Sequence, residues 1–290
     1  MNSNHQEPKK HKPFAVFLRG IAMGTVDIVP GVSGGTVAFI TGIYPRLIHG
    51  LNQIRSEAQN ILKSPKQITH SLRNIDWFFF LPLAAGIAIA LFLLSGIMSY
   101  FLENFPANTF ALFAGLILAS AYMLFKTLAE HNNKNMAALF AGITITYLLS
   151  GLTALNVAHT HPIIFFSGAI AICAMLLPGI SGAFLLVLLG QYEFVITAIH
   201  ERNILVIAIF GAGAVLGLAI FSKLVDTLLQ KHKNLTLYAL TGLMIGALRV
   251  PYLEISSNLA QTTYTYLAYF IILGVGIVIA VDYAAKILKK

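Results

Sequence analysis

The sequence predicts an all-α integral membrane protein of two inverted-topology repeats, each a re-entrant helical hairpin followed by three transmembrane helices. Three observations predict it. The first is composition: 57% of the 290 residues are hydrophobic and only 10% are charged, against about 25% charged in an ordinary soluble domain. The second is a duplicated interruption. Pro30-Gly31-Val32-Ser33-Gly34-Gly35-Thr36 reappears as Pro178-Gly179-Ile180-Ser181-Gly182-Ala183-Phe184, and the same offset pairs Gly42 with Gly190 and Tyr44 with Tyr192. The third is the placement of positive charge along the chain.

In chain order, residues 1–13 are polar and basic, with Lys9, Lys10 and Lys12, and form an N-terminal tail. The apolar run that follows contains Asp27 and Pro30 and shows no small-residue cleavage pattern, so it is read as retained rather than as a signal peptide. Runs at 14–29 and 35–51 flank the first Pro-Gly break, and runs at 163–177 and 182–199 flank the second. A full crossing needs about 20 residues, so the runs around the breaks read as half-depth helices. The resulting hairpins cover 14–51 and 160–200. Spans are expected at 77–101, 110–125 and 136–155 in the first half, and at 204–224, 235–253 and 264–287 in the second. Between the first hairpin and its spans lies an insertion, 53–76. There Ile54, Ala58, Ile61 and Leu62 fall at helical spacing among Arg55, Glu57 and Lys63, which fits a short amphipathic helix on the membrane surface or a solvated loop.

Charge orients these elements. If each broken segment returns to the side it entered, all 19 Lys and Arg except Arg202 and Arg249 fall on one side. If each crossed once, the two sides would carry nearly equal numbers. The positive-inside rule favours the first arrangement and puts both termini in the cytoplasm. Three spans per half is an odd number, so the repeats, 14–156 and 157–290, run in opposite directions. Gly115-Leu116, matched by Gly242-Leu243, extends the repeat into the spans.

Several classes are excluded. The only cysteine, Cys173, rules out an internal disulfide, and the net charge of +8 is spent on membrane orientation rather than on nucleic acid. No His, Asp or Glu cluster has ligand spacing, so no metal or cofactor is expected, and no catalytic residues are assigned.

The breaks carry the chemistry. Pro and Gly free backbone groups that hydrocarbon cannot satisfy, and a paired interruption in two halves points to a transporter's binding site. Ser33 and Ser181 stand at N-cap positions, while Gly34, Gly35 and Gly182 leave the first backbone N–H groups open to approach. Two such helix starts arriving from opposite faces would make one anion site, with phosphate its natural tenant; the alternative use of the glycines is close helix packing. Asp27, three residues before the first break, is a candidate proton carrier or coupling site, or else a carboxylate held structurally by backbone donors. Its counterpart is Met175. Arg249 either attracts a phosphate or pairs with Glu254. Glu193 borders the outer mouth of the second hairpin, and Arg46 is its near counterpart at the cytoplasmic mouth. His159 and His161 read as loop histidines.

The stretch Arg19-Gly20…Met23-Gly24…Asp27…Pro30-Gly31-Val32-Ser33-Gly34-Gly35-Thr36, followed by Gly42-Ile43-Tyr44, resembles the signature of the bacterial polyprenyl-phosphate transporter family. So do Pro178–Gly182, Gly190-Gln191-Tyr192-Glu193 and Gly242-Leu243…Gly246…Leu248-Arg249. The resemblance implies return of undecaprenyl phosphate, a lipid carrier of cell-wall synthesis, from the outer to the inner leaflet. The substrate site read from the breaks comprises Pro30, Gly31, Ser33, Gly34, Gly35, Thr36, Pro178, Gly179, Ser181 and Gly182 with Arg249 and Arg46, and Asp27 and Glu193 are the coupling candidates for a proton or cation; the resemblance implies a bacterial plasma membrane as its setting. A secondary transporter of a small anion would use the same helix starts. An intramembrane lipid pyrophosphate phosphatase fits less well, because Gly34 and Gly182 stand where such an enzyme needs an arginine.

Overall fold

The computed structural model describes residues 12–27, 33–128, 131–152 and 157–287; Pro30 and Gly31 lie outside them. The described residues form helices and connecting turns without a strand. The first half contains α1 (Pro13–Asp27), α2 (Gly34–Ile40), α3 (Tyr44–Lys63), α4 (Ile68–Asn74), α5 (Trp77–Asn104), α6 (Pro106–Thr127) and α7 (Asn133–Leu149). The second contains α8 (His161–Leu176), α9 (Gly182–Leu188), α10 (Tyr192–His200), α11 (Ile204–Lys231), α12 (Lys233–Gly246), α13 (Arg249–Ser257) and α14 (Tyr264–Ile287).

Four segments among the described residues are long and apolar enough to cross a membrane: Trp77–Leu94, Pro106–Lys126, Ile204–Lys231 and Lys233–Ser257. The bent pair Gly182–Leu188 and Tyr192–Ile199, folded by 110°, makes a fifth candidate. The chain is a multi-pass membrane protein.

Each broken segment has two interruptions, which corrects the expected two-armed hairpin. The run 35–51 is not one helix: α2 stops after seven residues, about 10 Å of helix, and α3 starts beyond a turn. Gly42 in that turn has φ +73° and Gly190 in the equivalent turn has φ +65°, a left-handed conformation that other residues adopt at a cost. The hydrogen bonds repeat as well. Ile43 N donates to Ala38 O at 3.0 Å and Gln191 N to Leu186 O at 2.8 Å, closing the same cap on α2 and α9. The insertion differs too. No separate amphipathic helix begins at 53; α3 itself continues to Lys63, and its apolar spacing belongs to that extension. Asn74 then reaches back to Glu57 at 2.9 Å. Hydrogen bonds from Asn74 and Ser71 hold the Glu57 carboxyl below the usual carboxylate range.

Four long helix pairs build the body: α1 on α5, α8 on α11, α7 on α12 and α6 on α14. Glycines line all four. A Cβ on Gly115 would overlap the Ile271 carbonyl and one on Gly274 the Leu112 carbonyl. Between α7 and α12 Gly242 meets Leu139 and Gly142 meets Ala239 in the same way. Lipid supplies no hydrophobic drive between helices, so close backbone approach, with the dispersion contact it brings, holds the pairs together. The largest buried cluster lies where both broken segments meet α5, α6 and α12; it includes Met23, Phe39, Tyr44, Phe79, Leu176, Ile180 and Met244.

Candidate functional site

The two breaks meet. Ser33 is the N-cap of α2, with φ −115° and ψ 130°, and its Oγ accepts from Gly35 N at 3.1 Å. The same hydroxyl donates to Leu177 O, in the other break, at 3.2 Å. Thr36, one turn into α2, accepts from Gly179 N at 2.9 Å. Ser181 caps α9 and accepts from Phe184 N at 3.4 Å. Both serines and Thr36 are buried. The structure therefore brings Ser33, Gly35 and Thr36 against Met175, Leu176, Leu177 and Gly179, from segments far apart in sequence. Gly179 has φ +88°, and a Cβ there would stand 2.7 Å from Leu243 O.

Asp27 does not project into open space. Its Oδ1 accepts from Gly34 N at 2.7 Å, so a carboxylate occupies the start of α2 as an anion from solution would. The equivalent place beside Gly182 is filled by Met175, whose Cγ would be 2.6 Å from a Cβ on that glycine. The two halves differ here in charge and agree in packing. Gly34, Gly35 and Gly182 are tight against Asp27, Met175 O and Ala171 O respectively. The N–H groups of Gly34, Gly35 and Gly179 already have internal acceptors.

The outlying candidates fall elsewhere. Arg46 donates through Nε and Nη2 to Asp76 Oδ2, at 3.1 and 2.6 Å, and lies over the Phe79 ring. Arg249 turns from Glu254 to the end of α7, donating to Tyr147 O at 2.6 Å and covering the Tyr147 ring. Glu193 is exposed on the first turn of α10, where its charge suits the helix start. His159 is docked rather than free: its ring stacks on Phe194 and its Nδ1 lies 3.1 Å from buried Gln191.

Sequence reading missed three groups. Thr146 in α7 is buried, its hydroxyl has no partner among the described residues, and it lines a cavity of about 10 Å³ with Ser150, Gly179 and Ser181. That is room for about one water. Asp226 in α11 is buried and accepts from Asn52 Nδ2 at 2.7 Å, tying α3 to α11. No motif marks either residue. The third is an apolar groove of about 470 Å³ beside Thr36, walled by Leu94, Met98, Leu112, Phe113 and Ile277 with Thr25 at its polar edge. Through Phe101, Thr109 and Phe270 it adjoins a second cavity of about 650 Å³ that reaches Asn108, Thr262 and Tyr266.

Residues 23–265 match the model of the VCA0040-like family, described as undecaprenyl phosphate translocase-like. The chain belongs to this family. Among this chain's relatives, a polyprenyl-phosphate transporter of Vibrio cholerae serotype O1 is 38% identical over 234 residues, 81% of this chain and 76% of that one. A polyprenyl-phosphate transporter of Staphylococcus aureus is 31% identical over 265 residues, 84% of this chain and 88% of that one. No solved structure matches this VCA0040-like chain.

Proposed function

We propose that this protein carries undecaprenyl phosphate or a related polyprenyl phosphate across the bacterial plasma membrane, from the outer to the inner leaflet, for reuse in cell-wall synthesis. The observation that carries the reading is the contact between the two breaks, Ser33 to Leu177 and Gly179 to Thr36, in a chain whose relatives are named as polyprenyl-phosphate transporters. The repeats, 14–156 and 157–290, are inverted; the matched turns at Gly42 and Gly190 and the exchange of α6·α14 for α12·α7 support this. Both termini face the cytoplasm.

In this reading the phosphate binds where Ser33, Gly34, Gly35, Thr36, Ser181 and Gly182 converge, together with Pro30, Gly31, Pro178 and Gly179. Its donors are the ones that internal groups hold at rest, so binding is an exchange. Phosphate takes the Gly34 N–H when Asp27 lets it go, and Asp27 lets it go on gaining a proton. That makes Asp27 the coupling residue and a proton its partner. Arg249, Arg46 and Glu193 act at the approaches rather than at the centre. The groove beside Thr36 gives an isoprenoid chain an apolar course while the head group moves through polar ground, which favours a lipid over a small free anion. The chemistry asked of the protein is transport, with no bond made or broken.

Reconstitution tests this. Labelled undecaprenyl phosphate placed in one leaflet of protein-containing vesicles should appear in the other, and excess inorganic phosphate should not stop it. Inhibition of movement by inorganic phosphate at comparable concentration, or movement of phosphate alone, would assign the site to small anions instead.

A further inference from the structure

Arg19 and Arg46 come from different helices near the basic end of the chain, and each presents a buried nitrogen with nothing to bond. Arg46 is the better anchored, through Nε and Nη2 to a single oxygen of Asp76. Its Nη1 is buried and lacks an acceptor among the described residues. Arg19 Nη1, from α1, is in the same condition, and the two guanidinium charges are close enough to repel each other. Among the described residues Asp76 is the one carboxylate that pairs with either guanidinium, which leaves an excess positive charge. Buried polar atoms are nearly always bonded, and an unbonded charged donor in a native fold calls for a missing acceptor. A guanidinium fork matches the oxygens of a phosphate group better than any other common anion except a carboxylate.

We infer that Arg19 and Arg46 form a second anion site, apart from the paired breaks, that takes a phosphate group between their two Nη1 atoms. Arg19 precedes Asp27 by eight residues in α1, about 12 Å along the helix, which is more than two turns before the break. The ligand is a phosphate monoester or phosphate itself. With the transport reading above as the source of ligand, this is where a lipid head group stands on the cytoplasmic side of the breaks; the site itself does not depend on that reading.

The chain's only tryptophan, Trp77, follows Asp76 in sequence and serves as the emission probe. The purified full-length protein in neutral detergent is titrated with dodecyl phosphate and, separately, with inorganic phosphate, at constant ionic strength. Saturable change in Trp77 emission is expected. In Arg19→Gln the apparent Kd should rise about tenfold, as for loss of one charge-assisted contact, and Arg19→Lys should fall between the two, keeping charge without the fork. Arg55→Gln, on the same helix as Arg46 but bonded to Asn52 and Gln59, should titrate like the parent, which separates this site from general basic charge. Tighter binding of dodecyl phosphate identifies a lipid head group as the occupant, and tighter binding of inorganic phosphate identifies the free ion; both support the site. Absence of a saturable response to either probe, or an unchanged titration in folded Arg19→Gln, overturns it. A protein that binds dodecyl phosphate through Arg19 yet moves no lipid in vesicles would refute the transport reading and leave this site standing.

Discussion

Replacing Asp27 separates a structural carboxylate from a working one. Its Oδ1 accepts a 2.7 Å hydrogen bond from Gly34 N at the start of α2. A bond to a charged acceptor contributes about 1.5–3 kcal/mol and a neutral one about 1 kcal/mol. Asp27→Asn keeps an acceptor and loses the charge, so it should cost about 1 kcal/mol of stability, while Asp27→Ala, which strands the Gly34 N–H, should cost about 2–3 kcal/mol. The same step has a functional sign. A competitor weakened by about 1 kcal/mol lets phosphate hold the site about fivefold more tightly, and a group that cannot shed a proton cannot expel it. Asp27→Asn should therefore bind lipid phosphate more tightly, move it more slowly, and lose the parent's response to a pH gradient. The assay is leaflet-to-leaflet transfer in vesicles at several internal pH values, beside thermal unfolding in detergent. Parent-like transfer and pH response in Asp27→Asn would confine Asp27 to holding α2 in place, and an unchanged melting curve as well would refute the hydrogen-bond account.

Four further outcomes can be measured. Ser33→Ala should destabilise more than Ser181→Ala, since Ser33 both caps α2 at 3.1 Å and reaches Leu177 O, while Ser181 makes one cap bond at 3.4 Å; caps are worth about 1 kcal/mol, and each variant should slow transfer without abolishing it. Gly42→Ala should cost about 1–2 kcal/mol for its φ of +73° alone, because no atom lies within 4 Å of the added Cβ. Gly115→Ala, which drives a Cβ into the Ile271 carbonyl, should cost about 3 kcal/mol; equal losses in the two would contradict the seam. Single cysteines placed through 53–75, in a protein with Cys173 replaced, should react only from the cytoplasmic side, and labelling from outside intact cells would overturn the orientation.

What could be read from the sequence was whatever repeated. The match of Ser33 with Ser181 foretold both caps, and Gly42 with Gly190 marked two turns whose consequence, a second interruption in each broken segment, the apolar runs concealed. Hydropathy averages over a turn of three residues, so Thr41–Ile43 disappeared into a run from 35 to 51. Arg46 and Asp76 are thirty residues apart, and nothing local announces that they pair. Asp27 is the clearest case. Its depth and rarity flagged it, but the fold-back across the break that sets it on Gly34 N is tertiary geometry, invisible in spacing. Thr146 carries no signal at all, because one threonine in an apolar helix is usually bonded to its own backbone.

The glycine seams have a mechanical consequence. Two of them, α1 on α5 and α8 on α11, join helices of one half; the other two, α6 on α14 and α7 on α12, stitch the halves together. The halves are thus woven, each surrendering its last long helix to the other, and prising them apart like the jaws of a clamp would tear two seams at once. Of the helices outside this weave, α2 and α9 are short, seven residues each, and each leads through a turn at Gly42 or Gly190 into the next helix. A movement confined to α2 and α9 would leave all four seams intact.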